Sequence, residues 1–198
     1  MTSSYDNQLD NWVNDEKFGV NLLQLVGTLM YDKGIELVLF RNQLLEIGVS
    51  ELLNRFSYAN NVVGRKIDVK TATILASEIL KINLPPSKLD IGLLTAEYLE
   101  TNIDSKIFLK DKLKDIIHND SIQNKAKDVI LYGFGRIGRL VARELIKQAG
   151  KGQQLRLKAI AVRRLNNEQI VKRADLLRND SVHGAFKGVV EINLERQC

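Results

Sequence analysis

The 198-residue chain has one cysteine, two prolines and two histidines, and aromatic residues make up only 6% of it. A single cysteine excludes an internal disulfide framework, and with two histidines it cannot complete a structural zinc site. The expectation is a metal-free protein of the cytoplasm. Two prolines and thirteen glycines exclude collagen-like and proline-rich chains. No run approaches the eighteen or so apolar residues of a membrane-spanning helix, so no membrane partner is expected. Met1–Asp10 is polar and acidic, unlike the basic start and apolar stretch of a secretory signal. What remains is an ordinary globular composition, 44% hydrophobic and 27% charged, with room for one large domain or two small ones.

The net charge of +5 is unevenly divided. Met1 to Lys127 holds 15 Lys/Arg against 17 Asp/Glu, whereas Asp128 to Cys198 holds 14 against 7. Glycines crowd in at the same point, with Gly133, Gly135 and Gly138 opening the basic half. The polar stretch Asn119–Lys127 (NDSIQNKAK) has nothing to bury and marks the boundary between domains 1–124 and 125–198. A balance of +7 predicts an anionic partner, for which nucleic acid and phosphorylated small molecules both qualify.

The first domain reads as mostly helical. Leu22, Leu25, Val26 and Leu29 fall on one helical face, as do Ala72, Leu75, Ala76 and Ile79 behind Asp68, an N-cap residue. Leu109, Leu113, Ile116 and Ile117 repeat the spacing behind Ser105, and Ser50 is placed to cap a helix carrying Leu52, Leu53 and Phe56. Ile35–Phe40 fits either a strand or a buried helix. Pro85 and Pro86 end a helix and force an extended link. Four to six elements in a small bundle or extension are expected. Trp12 and the leucine stripes read as core or as a face for another domain, with a partner-binding surface as the functional alternative. His118, alone near a helix end, reads as a cap or a solvated residue.

The second domain carries the chemistry. Asp128–Tyr132 (DVILY) is β-prone and runs into Gly133-Phe134-Gly135-Arg136-Ile137-Gly138. Arg139–Gln148 then has helical periodicity, and Leu155–Val162 (LRLKAIAV) is β-prone again. Strand, glycine loop, helix and strand form the βαβ unit that binds dinucleotides. Gly133 permits the tight turn, Gly135 lets backbone N–H groups approach a pyrophosphate, and Gly138 lets the helix pack closely on the strand. The helix N-terminus adds unpaired donors and partial positive charge. A carboxylate after the second strand would accept from the adenosine ribose hydroxyls and favour NAD. Arg163 and Arg164 stand there instead, and a guanidinium can pair with a 2′-phosphate, so NADP use or tolerance is expected beside NAD.

These residues carry a family pattern. KDVILYGFGRIGRLVARELI, followed by RADLLRNDSVHGAFKG, resembles the N-terminal cofactor domain of glyceraldehyde-3-phosphate dehydrogenase, in which both runs occur in this order. LVGTLMYDKGIELVLF and LKINLPPSKLDIGLL are similar to the helical N-terminal extension of long bacterial forms of that enzyme. The resemblance implies an α/β fold: a mostly helical extension, then the first half of a Rossmann-type NAD(P)-binding domain. It implies that Arg136 and Ile137 line the pyrophosphate beside Gly133, Gly135 and Gly138, and that Arg164 occupies the family's usual acidic position. His183, in the loop with Asp180, Ser181 and Gly184, takes a structural rather than catalytic role. Asn167–Leu177 would form the preceding helix with Ile170, Ala174 and Leu177 inward, and Val189–Leu194 alternates as an edge strand would.

The family oxidises glyceraldehyde 3-phosphate through a cysteine thiolate assisted by a histidine, in an S-C-T-T-N setting. Cys198, in Glu195-Arg196-Gln197-Cys198, lacks those neighbours and is not that nucleophile, so no catalytic residue is assigned. The chain is expected to be a fragment ending at Cys198, inactive alone and weak in cofactor affinity, from an enzyme of glycolysis or gluconeogenesis that is a homotetramer when complete. The alternative is a noncatalytic nucleotide-binding or interaction protein derived from this fold. Nucleic acid is not expected, because Tyr132, Phe134 and Phe186 are too dispersed for a stacking platform.

Overall fold

The structure, a computed structural model, describes residues 4–62, 64, 66–117, 126–150, 152, 155–163 and 166–194. His118, Arg164 and Cys198 lie outside the described residues, as does most of the boundary stretch. The chain divides into two compact units, Met1–Asn124 and Lys125–Cys198. No helix among the described residues is long and apolar enough to cross a membrane.

In the first unit, helix α1 (Ser4–Thr28) continues into a π-helical turn over Leu29–Lys33, which Gly34 ends at φ 69°. Strand β1 (Ile35–Leu39) follows, so the ambiguous apolar run is a strand. Its four apolar residues are buried and only Glu36 is half-buried, so it lacks the strict alternation of a half-exposed strand. It pairs antiparallel with β2 (Asn42–Gln43) and parallel with β3 (Ser87–Asp90), giving the order β2–β1–β3. Between the strands and after them come α2 (Val49–Val62), α3 (Val69–Lys81), α4 (Ile91–Leu99), α5 (Ser105–Lys112) and α6 (Lys114–Ile117).

The caps follow side-chain chemistry. Asp68 Oδ1 accepts from the Thr71 N–H at 2.7 Å, as expected of an N-cap. Asp90 caps α4 through the N–H groups of Gly92 and Leu93, and its carboxylate also accepts from Phe40 and Arg41, both at positive φ in the β1–β2 turn. Ser50 does not cap α2, because that helix already begins at Val49. Asp104 rather than Ser105 caps α5, since its carboxylate reaches the Lys106 N–H from outside the helix. The helix expected through Ile117 breaks at Leu113, whose buried side chain and non-helical backbone separate α5 from α6. Leu22, Leu29, Leu52, Leu75, Ile79 and Leu109 are completely buried in one core. Gly19 brings α1 close to α2: a Cβ there would lie 2.7 Å from Val49 Cγ1.

The second unit is smaller. Strands β4 (Lys127–Tyr132) and β5 (Leu155–Ala161) pair in parallel on either side of α7 (Arg136–Gln148), and α8 (Asn167–Arg178) follows with an Asn166–Gln169 capping box. The α/β fold and the parallel βαβ arrangement agree with a Rossmann-type half. Along α8, Ile170, Ala174 and Leu177 fall at half-buried positions. Val189–Leu194 is not a strand. Instead β6 (Asn179–Asp180) and β7 (Gly184–Ala185) form a two-residue antiparallel pair, while Val189 is 88% exposed and, among the described residues, no strand pairs with it.

Candidate functional site

The turn from β4 into α7 is built from its glycines. Gly133 sits at φ 96°, a backbone region that disfavours a Cβ, and its N–H donates to the Ala161 carbonyl at 2.7 Å. This bond fastens the tip of β4 to the end of β5. A Cβ on Gly138 would lie 2.5 Å from the Gly133 carbonyl oxygen, so the helix can approach the turn only because residue 138 is glycine. Gly135 differs from both: it is the N-cap of α7, in extended backbone, and a Cβ built there meets nothing within 4 Å. The space in front of it is open.

No side chain caps α7. The first N–H groups of an α-helix have no intrahelical acceptors and carry the positive end of the helix dipole. The turn therefore presents uncapped donors toward open space, which suits an anionic group and would be crowded by a side chain at 135.

A cleft of about 420 Å³ opens at this turn. It is lined by Tyr132, Gly133, Phe134, Gly135, Val162, Arg163 and Arg173. Among the described residues, two guanidinium side chains border it and no carboxylate does. Among the expected site residues, Gly133, Gly135 and Arg163 line the cleft together. Gly138 lies against the turn without lining it. Arg136 and Ile137 occupy the first turn of α7 with exposed side chains, 79% exposed for Ile137, and line no part of the cleft.

Arg173 is the residue that motif reading missed. It lies 39 positions after Phe134, on α8, and its Nη1 donates to the Phe134 carbonyl at 3.0 Å. One side chain thus borders the cleft and holds the middle of the glycine turn. Its sequence signal is slight: an arginine in a helix whose own periodicity is unremarkable.

Other arginines are committed inside the unit. Arg143 donates through Nε and Nη2 to the Leu177 carbonyl and through Nη1 to that of Gly184, and lies 5.7 Å from the centre of the Phe186 ring. Arg156 pairs with Asp128 across the strands at 2.8 Å, and Arg178 with Asp175 at 2.8 Å. Asp180 is buried beside Arg139, with 3.8 Å between Arg139 Nη2 and Asp180 Oδ2. Its other oxygen accepts from the His183 ring Nδ1 and from the N–H groups of His183 and Val182, each at 3.0 Å. The ring bond from His183, then these two backbone bonds, hold the Asp180 carboxyl well below its ordinary pKa of 3.8. The carboxylate closes the loop through the β6–β7 pair, and His183 serves that loop. Among the described residues, no group of three His, Cys, Asp or Glu side chains could hold a metal ion.

Residues 127–197 match the family described as glyceraldehyde 3-phosphate dehydrogenase, NAD binding domain. A glyceraldehyde-3-phosphate dehydrogenase-like protein of Pseudomonas aeruginosa (strain UCBPP-PA14) is 31% identical over 179 residues, covering 88% of this chain and 39% of that protein. The chain thus spans well under half the length of this relative. The second unit alone is far shorter than the aligned stretch, so the likeness extends into the helical unit as well. Both likenesses support the glyceraldehyde-3-phosphate dehydrogenase family, and the family match supports a nicotinamide dinucleotide as cofactor.

Proposed function

We propose that the second unit is the dinucleotide-holding part of a phosphorylating glyceraldehyde-3-phosphate dehydrogenase, with the diphosphate of NAD or NADP seated on the turn Gly133–Gly138. One observation carries the reading: an uncapped helix N-terminus faces open space at Gly135, inside a cleft whose charged residues, among those described, are all arginines. Backbone N–H groups of Gly135, Arg136, Ile137 and Gly138 would hold the bridge oxygens, and Arg173 would keep the turn in place through the Phe134 carbonyl.

Arg163, which lines the cleft, would meet a 2′-phosphate on the adenosine ribose, and on this reading the chain binds NADP in addition to NAD. Arg164 shares that role in the proposal, on sequence grounds. When bound, the dinucleotide supplies the two-electron acceptor for aldehyde oxidation. The chain's own part is to bind it, orient it and neutralise its phosphates. Oxidation of glyceraldehyde 3-phosphate to an acyl phosphate, assembly as a homotetramer and a place in the cytoplasm are proposed for the complete protein. The helical unit would be the N-terminal extension of a long bacterial form.

Calorimetry on the full 198-residue chain tests the cofactor reading. A charge-assisted contact to phosphate contributes on the order of 1.5–3 kcal/mol, or roughly ten- to a hundredfold in affinity. Arg163→Glu and Arg164→Asp should each weaken NADP by about that factor and leave NAD nearly unchanged. Equal loss for both dinucleotides, or none for either, would remove the 2′-phosphate assignment. Failure of the wild-type chain to bind either would remove the site.

A further inference from the structure

Helix α1 is about 37 Å long at 1.5 Å per residue, yet its first buried residue is Gly19. Ahead of it, Ser4–Glu16 contains Asp6, Asp10, Asp15 and Glu16 and no basic residue. Tyr5, Leu9 and Trp12 recur at i, i+4 and i+7, which places them on one face of the helix. They are 69%, 43% and 57% exposed. This apolar stripe leads into a groove of about 580 Å³ between α1, α2 and the start of α3. Trp12, Asp15 and Glu16 line it from α1, Leu53 and Phe56 from α2, and Asp68 from the cap of α3. Among the described residues, every charged one that lines the groove is acidic. Asp15 and Glu16 form no ion pair among the described residues.

We propose that the exposed face of α1 and the adjoining groove dock a basic, amphipathic peptide segment of a partner protein. Charge complementarity selects the sign: lysines or arginines of the segment would answer Asp15, Glu16 and Asp68, while an apolar side chain settles against Trp12 and Leu53. Length selects a segment over a small amine. Tyr5 lies seven residues before Trp12, about 10 Å along the helix, and only an elongated ligand covers both. A second copy in the same place would set one acidic stripe against another, which like-charge repulsion opposes. The inference is independent of the dinucleotide site.

Trp12 is the chain's single tryptophan, so its fluorescence reports the groove without labelling. The full chain would be titrated with an amphipathic helical peptide of lysine and leucine, and with a glutamate–leucine peptide of the same apolar face. The lysine peptide should give a saturable blue shift that weakens with salt. Asp15→Asn with Glu16→Gln should weaken it at least about tenfold, whereas Glu100→Gln with Glu191→Gln, acids outside the groove, should not alter it. Equal binding of the glutamate peptide, an equal response to spermine, or equal loss in the two double variants would each overturn the proposal. So would sedimentation showing a dimer of the chain that Trp12→Ala abolishes.

Discussion

The helical unit and the dinucleotide unit hold themselves together differently. In the first, Leu22, Leu52, Leu75 and Ile79 are among more than a dozen apolar side chains removed from water around a three-stranded sheet. In the second, only Phe134, Ala142 and Asp180 are buried among the described residues, while Ile130 and Tyr132 on β4 are 66% and 78% exposed. Along β4, Val129 and Leu131 are half-buried while Ile130 and Tyr132 are bare, so the two-stranded sheet covers one face and leaves the other open. Cations make up part of the deficit, because Arg143 and Arg173 join α7, α8 and the glycine turn through backbone carbonyls. Hydrophobic burial supplies the bulk of folding free energy, whereas single hydrogen bonds contribute about 1 kcal/mol net. The helical unit should therefore be the stable one, and the dinucleotide unit the one that ligand stabilises.

The largest expected effect tests that contrast. Leu75→Ala should cost the helical unit about 2–5 kcal/mol in denaturant unfolding, by loss of burial and by the cavity left behind. The dinucleotide unit's transition should stay where it was. A single shared transition for both units would break the comparison.

Gly138→Ala should come next. Its Cβ would meet the Gly133 carbonyl at 2.5 Å, and forcing the two apart costs about 1–3 kcal/mol in the second unit. Dinucleotide binding, read by calorimetry, should fall with it. Gly135→Ala sharpens the point, since its Cβ meets nothing: the unit's stability should change little while binding falls.

Arg173→Met should weaken dinucleotide binding by roughly tenfold, since losing a charged hydrogen bond to Phe134 removes on the order of 1.5 kcal/mol of restraint on the turn. Arg173→Lys separates two roles. A lysine that restores full affinity makes the residue a source of charge, whereas one that does not makes it a clamp on the turn.

The smallest expected effect concerns pH. Asp180 has its pKa lowered in the folded state, so its stabilisation is fully present above the ordinary 3.8, declines as pH falls below that value, and is gone once pH has fallen through the lower folded value. Carboxyl titration by NMR should find its midpoint well below 3.8. In Asp180→Asn the β6–β7 loop should lose protection from hydrogen exchange at neutral pH, with no further step on acidification. A midpoint at 3.8 or above in the unmodified chain contradicts the hydrogen-bonded loop.

Local patterns made much of this legible in the sequence. The strand, glycine loop, helix and strand follow from residue types at neighbouring positions, and Asp68 as a cap follows from chemistry three residues long. Contacts set by tertiary structure did not show. The Arg173 bond to Phe134 spans 39 positions and leaves no periodic trace. The +7 balance pointed to an anionic partner, yet Arg139, Arg143, Arg156 and Arg178 all engage groups within the unit, leaving Arg163 and Arg173 as the cations that line the cleft. The break at Leu113 was hidden because helical spacing persists across it: Leu109 and Leu113 are buried whether the helix is continuous or not. Val189–Leu194 alternates like a strand, but alternation forms a strand only where a neighbour takes up its backbone groups.

The most direct measurement is an amide NMR titration of the 198-residue chain with NADP and with NAD, which detects even weak binding. The N–H resonances of Gly135, Arg136, Ile137 and Gly138 should move first and furthest, with those of Arg163 shifting for NADP. If the dinucleotides instead perturbed residues elsewhere and left these amides unmoved, the assignment of the β4–α7 turn as a diphosphate cradle would be contradicted.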